Sequence, residues 1–220
     1  MTAGRTPEAG FGALRQDLGE LAALVLAQVE RAVAGWDESD ASVAAVVEAA
    51  DAEIDTRSTE IEQRILDLHR TWTAFAGDLR LLHVGLIGAV ALERVGNLAV
   101  QIARLAGSVP PPEPALDPVR SLIRRMGDRA VDALADAVRA IAKGDLEAGE
   151  RAVRDARGVS PMLDEVLRQV TAVATGAGMR SWSAAAVLVA RHLERVANNA
   201  AELGARVRFL VTGETVAAEE

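Results

Sequence analysis

Apolar residues recur along this chain in steps of three and four. Phe11, Leu14, Leu18, Leu21, Val25, Val29 and Ala32 follow one another in this way, the mark of an amphipathic helix with a coiled-coil-like seam. The pattern predicts a first helix over residues 7–35. After WDESD, where Ser39 or Asp40 can cap a new helix, Val47, Ala50, Ile54, Ile61, Ile65 and Leu68 predict a second over 39–70. TWTAFAGD breaks the run, and Asp78 is the expected cap of a third over 78–106. Ile123, Met126, Ala130, Ala133, Ala137 and Ile141 then predict a fourth over 116–143. Asp145 is the expected cap of a fifth over 145–175, and a sixth spans 181–212.

One phrase occurs twice in this pattern, LERVGN from Leu92 and LERVAN from Leu193. Superposing them pairs Glu93 with Glu194 at an offset of 101, and pairing the capping Asp40 with Asp145 gives 105. Two landmarks at nearly one offset argue for duplication of a three-helix unit. Between the halves, GSVPPPEPALDP holds five of the seven prolines, which deny the backbone helical hydrogen bonds and stiffen it as a spacer. The expected fold is all-α, a tandem repeat of two antiparallel three-helix bundles, with units at 1–108 and 119–220 and a linker at 109–118.

Composition narrows the function. Aromatic residues make up only 3% and Tyr is absent, which disfavours β-sheet. Without Cys there is neither a disulfide framework nor a thiolate metal site. The N-terminus lacks the apolar core of a secretory signal, and runs such as VGLIGAVAL fall short of the roughly 20 residues of a membrane span, so the expected location is the cytoplasm. A net charge of −8 with no clustered Lys/Arg run argues against nucleic acid as a partner.

The chemistry centres on the repeated glutamates. Glu93 has Ala89, Val90, Gly96 and Asn97 as its helical neighbours, and Glu194 has Ala190, Arg191, Ala197 and Asn198. A carboxylate on such an apolar face must be paired or must hold an ion, because desolvating it alone costs several kcal/mol. DAEID places Asp51 and Asp55 one turn apart at the edge of the same core. Asp51, Asp55, Glu93 and Asn97 are therefore candidate ligands for a divalent or ferric ion, with Glu194, Asn198 and Glu202 as a vestigial second set. The competing reading is a solvated acidic face with Glu93 in a surface ion pair beside Arg94. His69, His83 and His192 form no metal-binding pair, and Trp36, Trp72 and Trp182 near helix ends are expected to pack. No nucleophile or phosphate loop accompanies the carboxylates, so no catalytic residue is assigned.

DAEID, AGDLR and LERVGNLAVQIARLA, followed by RHLERVANNAAELGARVRFLVTGE, resemble the PhoU family over nearly the whole chain. The resemblance implies two three-helix bundles and a negative regulator, not an enzyme, that couples a phosphate ABC transporter to a phosphate-sensing histidine kinase. Its implied partners are the transporter ATPase and that kinase, with the membrane reached only through the transporter; a homodimer is a candidate state. Some members carry metal clusters on their acidic motifs. Here the chain departs from the pattern, with Asn97 and Asn198 where Asp is usual, and the 105 offset lays Asp51 on Ala156 and Asp55 on Ser160. The alternative is a metal-binding helical accessory of a different phosphate or cation carrier.

Overall fold

A computed structural model describes residues 7–73, 75–109, 114–173 and 177–214. The described residues form α1 (Pro7–Glu38), α2 (Val43–Thr71), α3 (Ala76–Ala106), a 3-10 turn (Pro114–Leu116), α4 (Asp117–Lys143), α5 (Leu146–Arg157), α6 (Ser160–Val173) and α7 (Ala177–Thr212), with no strand among them. The first unit, α1 to α3, is a three-helix bundle. The second is built on the same plan from α4, the broken pair α5–α6, and α7.

Several boundaries differ from the periodic reading for local reasons. α1 runs past Gly35 because Trp36 is buried and holds the last turn in the core. α2 begins at Val43 rather than at residue 39: Ser39 takes a left-handed conformation at φ 55°, and Asp40 does not cap the helix but accepts hydrogen bonds from Ser42 N (2.8 Å) and Ser42 Oγ (2.7 Å) in the turn that follows. Asp78 lies three residues inside α3, where its carboxylate accepts from Phe75 N at 3.4 Å. Asp145 is the N-cap of α5, accepting from Ala148 N at 3.1 Å. Just before it, Gly144 ends α4 at φ 66°, a conformation that glycine adopts without a Cβ clash.

The largest departure is the fifth helix. It breaks after Arg157 and restarts at Ser160, because Pro161 has no N–H to continue the ladder and suits the first turn of a new helix. Residues 174 and 175 of the expected helix lie outside the described residues, as do 110–113 of the expected linker. Its later part, Pro114 to Pro118, is already the 3-10 turn and the start of α4.

α3 and α7 lie at the centre and pack on each other as well as on their own bundles, while α1 meets α4. One apolar core runs through both units. Small residues on α3 make the close approach feasible, with Gly85, Gly88, Ala89, Gly96, Ala99 and Ala103 all buried. Trp36 of α1 stacks on Trp182 of α7, ring centroids 5.6 Å apart and 27° between planes. Asp37 of α1 receives Arg120 (3.1 Å) and Arg124 (3.5 Å) of α4, and Arg80 Nε of α3 donates to Leu210 O of α7 at 3.2 Å. α3 is long and apolar enough by composition to cross a membrane, yet 61% of its most apolar window is buried inside the protein.

Candidate functional site at the paired LER helices

Each repeated glutamate meets a serine from the helix that precedes its own. In the first unit Ser58 Oγ of α2 donates to Glu93 Oε2 at 3.4 Å; in the second, Ser160 Oγ at the start of α6 donates to Glu194 Oε1 at 3.0 Å. Ser58 and Ser160 are 102 residues apart, and Ser42, just before α2, and the cap Asp145 are 103 apart. The structural offset is thus 101 to 103, and the pairing of Asp55 with Ser160 is corrected. Asp40 misled the alignment because it holds a turn and does not cap the helix. Stepping back seven and three residues from Ser58 gives Asp51 and Asp55; the same steps from Ser160 give Val153 and Arg157.

The two glutamates are held differently. Glu194 is 8% exposed and forms an ion pair with Arg191, one turn earlier on α7, in addition to the serine bond. A half-buried Glu93 has, among the described residues, the longer serine bond alone. Its neighbour Arg94 is exposed and makes no ion pair among the described residues, so a surface pair between Glu93 and Arg94 is not formed.

The acidic pair of α2 does not converge on Glu93. Asp51 is half-buried and turns toward α1, where Gln28 Nε2 donates to its Oδ1 at 3.3 Å and to Val47 O at 3.0 Å. Burial pushes the Asp51 carboxyl above its usual range; Gln28 opposes the shift, nearby Asp55 adds to it, and Arg104 opposes it. Asp55 is exposed. Asn97 is also exposed, its amide donating to Glu93 O of its own turn at 3.3 Å. In the second unit Asn198 is exposed and Glu202 pairs with Arg206 at 2.7 Å. Among the described residues no group of three or more His, Asp or Glu side chains is placed to hold a metal ion. These side chains do not fit a resident cation: Asp51 turns toward Gln28 of α1, Asp55 faces solvent, Glu93 rests on a serine, and the Asn97 amide has turned onto its own helix.

Gln28, Ser58, Ser160 and Arg191 were not among the expected site residues. Two of them carried a signal: Gln28 lies in phase with Val25, Val29 and Ala32, and Ser58 with Ile54, Ile61 and Ile65, so each is a polar residue on a buried stripe. Gln28 is 1% exposed and its Oε1 has no hydrogen-bond partner among the described residues. His192 is half-buried, its Nδ1 has no hydrogen-bond partner among the described residues, and burial, then the charge of Arg195, lowers its pKa from 6.5. His83 is exposed, edge-on to Phe209 at 5.9 Å.

Charge divides between the units. Residues 1–109 hold 9 Lys/Arg against 16 Asp/Glu, whereas residues 114–220 hold 15 of each. On α5 and α7 an open groove of about 560 Å³ is lined by Leu146, Gly149, Val153, Arg154, Arg157 and Arg208, among others. Its floor is helix backbone, because a Cβ added at Gly149 would lie 2.7 Å from Gly204 O and one at Gly204 would lie 2.7 Å from Gly149 O.

The arrangement defines a class of protein: an all-helical tandem scaffold in which the repeated polar motif ties helices together. The model of the PhoU domain matches residues 18–106 and 123–207, and the chain belongs to the PhoU family. It is 28% identical to the phosphate-specific transport system accessory protein PhoU homolog 1 of Mycobacterium leprae over 91% of this chain and 90% of that one. Identity to the PhoU homolog of Caulobacter vibrioides (strain NA1000 / CB15N) is 26%, covering 94% and 90%. Its fold is that of the crystal structure of PhoU from Pseudomonas aeruginosa, with a TM-score of 0.87 at 22% identity over 95% of this chain and 100% of that one. The phosphate transport system regulatory protein PhoU from Streptococcus pneumoniae gives 0.85 at 20%, covering 96% and 100%.

Proposed function

We propose that this protein is a cytoplasmic regulatory accessory of a phosphate transport system, and that it restrains phosphate-starvation signalling by docking on the transporter ATPase and a sensor histidine kinase. One observation carries the reading: both halves match a family whose similar members are named as accessory proteins of phosphate-specific transport. Physical support comes from the way the polar motif is used. Glu93 and Glu194 are engaged by serines across helix pairs, which leaves long, pre-ordered helix faces as the working surface. Rigid faces lose little conformational entropy when a partner binds, and an acidic first unit favours encounter with basic patches. At the motif each serine hydroxyl donates to its glutamate from a neighbouring helix, a contact that ties helices together, and the role assigned is docking without chemistry.

The test is genetic and biochemical. Deleting the gene from its own host should leave a phosphate-starvation reporter on in phosphate-rich medium, and the purified protein should bind the host's purified transporter ATPase. Normal repression in a strain with no second copy of the gene would remove the phosphate reading.

A further inference from the structure

We infer that the groove between α5 and α7 binds a linear chain of phosphoryl groups, the chemistry shared by inorganic polyphosphate and the nucleoside polyphosphates. Among the described residues that line it, Arg154, Arg157 and Arg208 face one acid, Glu150. Arg154 is exposed and makes no ion pair among the described residues, while Arg208 is held only loosely, 3.4 Å from Glu150 and 3.9 Å from Glu214. Exposed pairs of this kind are weak, so both guanidinium groups can turn to a ligand at little cost.

The arginines stand in a row. Gly149 meets Gly204, Glu150 meets Arg208 and Ser160 meets Glu194, so α5 and α6 run antiparallel to α7. Arg208 therefore lies beside the start of α5, and Arg154 and Arg157 follow about 6 and 10 Å further along the helix axis. The backbone contact at Gly149 and Gly204 holds the two helices close, so that arginines from both line one groove. A row of positive groups matches a row of anions, and the planar fork of arginine meets phosphate oxygens two at a time. The volume of about 560 Å³ falls within the range of small-ligand sites, roughly 300–1,000 Å³. Packing of the repeat does not call for these side chains. The structural offset lays Ala52 on Arg154, Asp55 on Arg157 and Gly107 on Arg208, so the first unit has no basic residue at any of the three positions. Beside the charges, Leu146 and Val153 offer an aliphatic wall, a seat for the organic part of a nucleotide that an inorganic chain lacks.

Isothermal titration calorimetry on the full chain, at low salt and without divalent cations, tests the inference with tripolyphosphate, ATP and orthophosphate. Tripolyphosphate and ATP should each bind and weaken as salt is raised. Both should bind more tightly than orthophosphate by about tenfold or more, the worth of one further charge-assisted contact. Arg154→Ala with Arg208→Ala should weaken both chains by about tenfold or more, and Arg154→Lys with Arg208→Lys by less, because charge is kept and the fork is lost. Arg94→Ala, which removes an exposed arginine of the first unit, should leave binding unchanged. Leu146→Ser separates the two sources: a loss for ATP alone assigns the groove to a nucleoside polyphosphate, and no change for either ligand assigns it to an inorganic chain. Far-UV circular dichroism confirms that each variant is folded. The inference is overturned if neither chain binds, if orthophosphate binds as tightly as the chains, or if the folded double-alanine variant binds as well as the wild type. An acidic helical peptide that binds where neither chain does overturns it in favour of a protein partner.

Discussion

The two units keep one arrangement and change nearly everything around it. In the first, Glu93 is half-buried and rests on Ser58, with an acidic helix beside it; in the second, Glu194 is buried between Ser160 and Arg191, and Arg157 stands where Asp55 stands in the first. The helix-to-helix serine contact occurs in both units, while the counterparts of Asp51 and Asp55 in the second are Val153 and Arg157. Geometry is therefore the conserved property of the motif within this chain, and charge is the variable one. The contacts at the glycines differ as well: α5 meets α7 through backbone at Gly149 and Gly204, whereas α3 at Gly96 meets side chains, Gln28 of α1 and Asp51 and Ile54 of α2.

If the units form one cooperative body, the seam between them should be the costliest place to cut. Trp182→Ala removes the stack on Trp36 and should lower stability by about 3–5 kcal/mol, with denaturant unfolding still a single transition; two separate transitions in the wild type would show that the units fold independently. Next in size is Gly204→Ala. Its methyl meets a carbonyl oxygen that cannot move aside, and a loss of about 1–3 kcal/mol is expected. Gly96→Ala should cost less, because the nearest atoms, Gln28 Oε1 at 3.1 Å and Asp51 Oδ1 at 3.2 Å, belong to side chains. Equal losses at the two glycines would contradict the contrast.

Smaller still are the pH effects, which should have opposite signs. Burial raises the Asp51 pKa, so the folded state holds this proton more tightly than the unfolded one. The resulting stability is present below the unfolded value of about 3.9 and is lost as pH rises through the folded value. Asp51→Asn should then raise the melting temperature at pH 7, and the gain should vanish near pH 4. His192 behaves in reverse. Its folded pKa is lowered, so the unfolded state binds the proton better, and stability is lost as pH falls from about 6.5 toward the folded value. His192→Gln should flatten that slope in a series of thermal melts.

Much of the fold was legible because helix periodicity is a local property. The stripes from Phe11 to Ala32 and from Ile123 to Ala137 lie in the core as expected, with Ile141 partly buried against it, and the LER repeat revealed the duplication. The candidate site was less legible. Spacing put Asp51 and Asp55 on neighbouring turns, but which way a carboxylate turns depends on partners from other helices, and the partner of Asp51 is Gln28, 23 residues away on α1. The break between α5 and α6 had its cause in view at Gly158 and Pro161, yet nothing local told whether the chain would kink or restart.

Glu93 and Glu194 are expected to work as helix clamps that hold no metal ion. The direct measurement is metal content together with thermal stability, on protein purified without chelator and then offered zinc, manganese or ferric ion. No stoichiometric metal and no shift in melting temperature with any ion are expected, while Glu194→Gln should lower stability by about 1–3 kcal/mol, in the range for a hydrogen bond to a charged group, and Glu93→Gln by less. Stoichiometric metal that raises the melting temperature and is lost in Glu93→Gln would contradict this expectation.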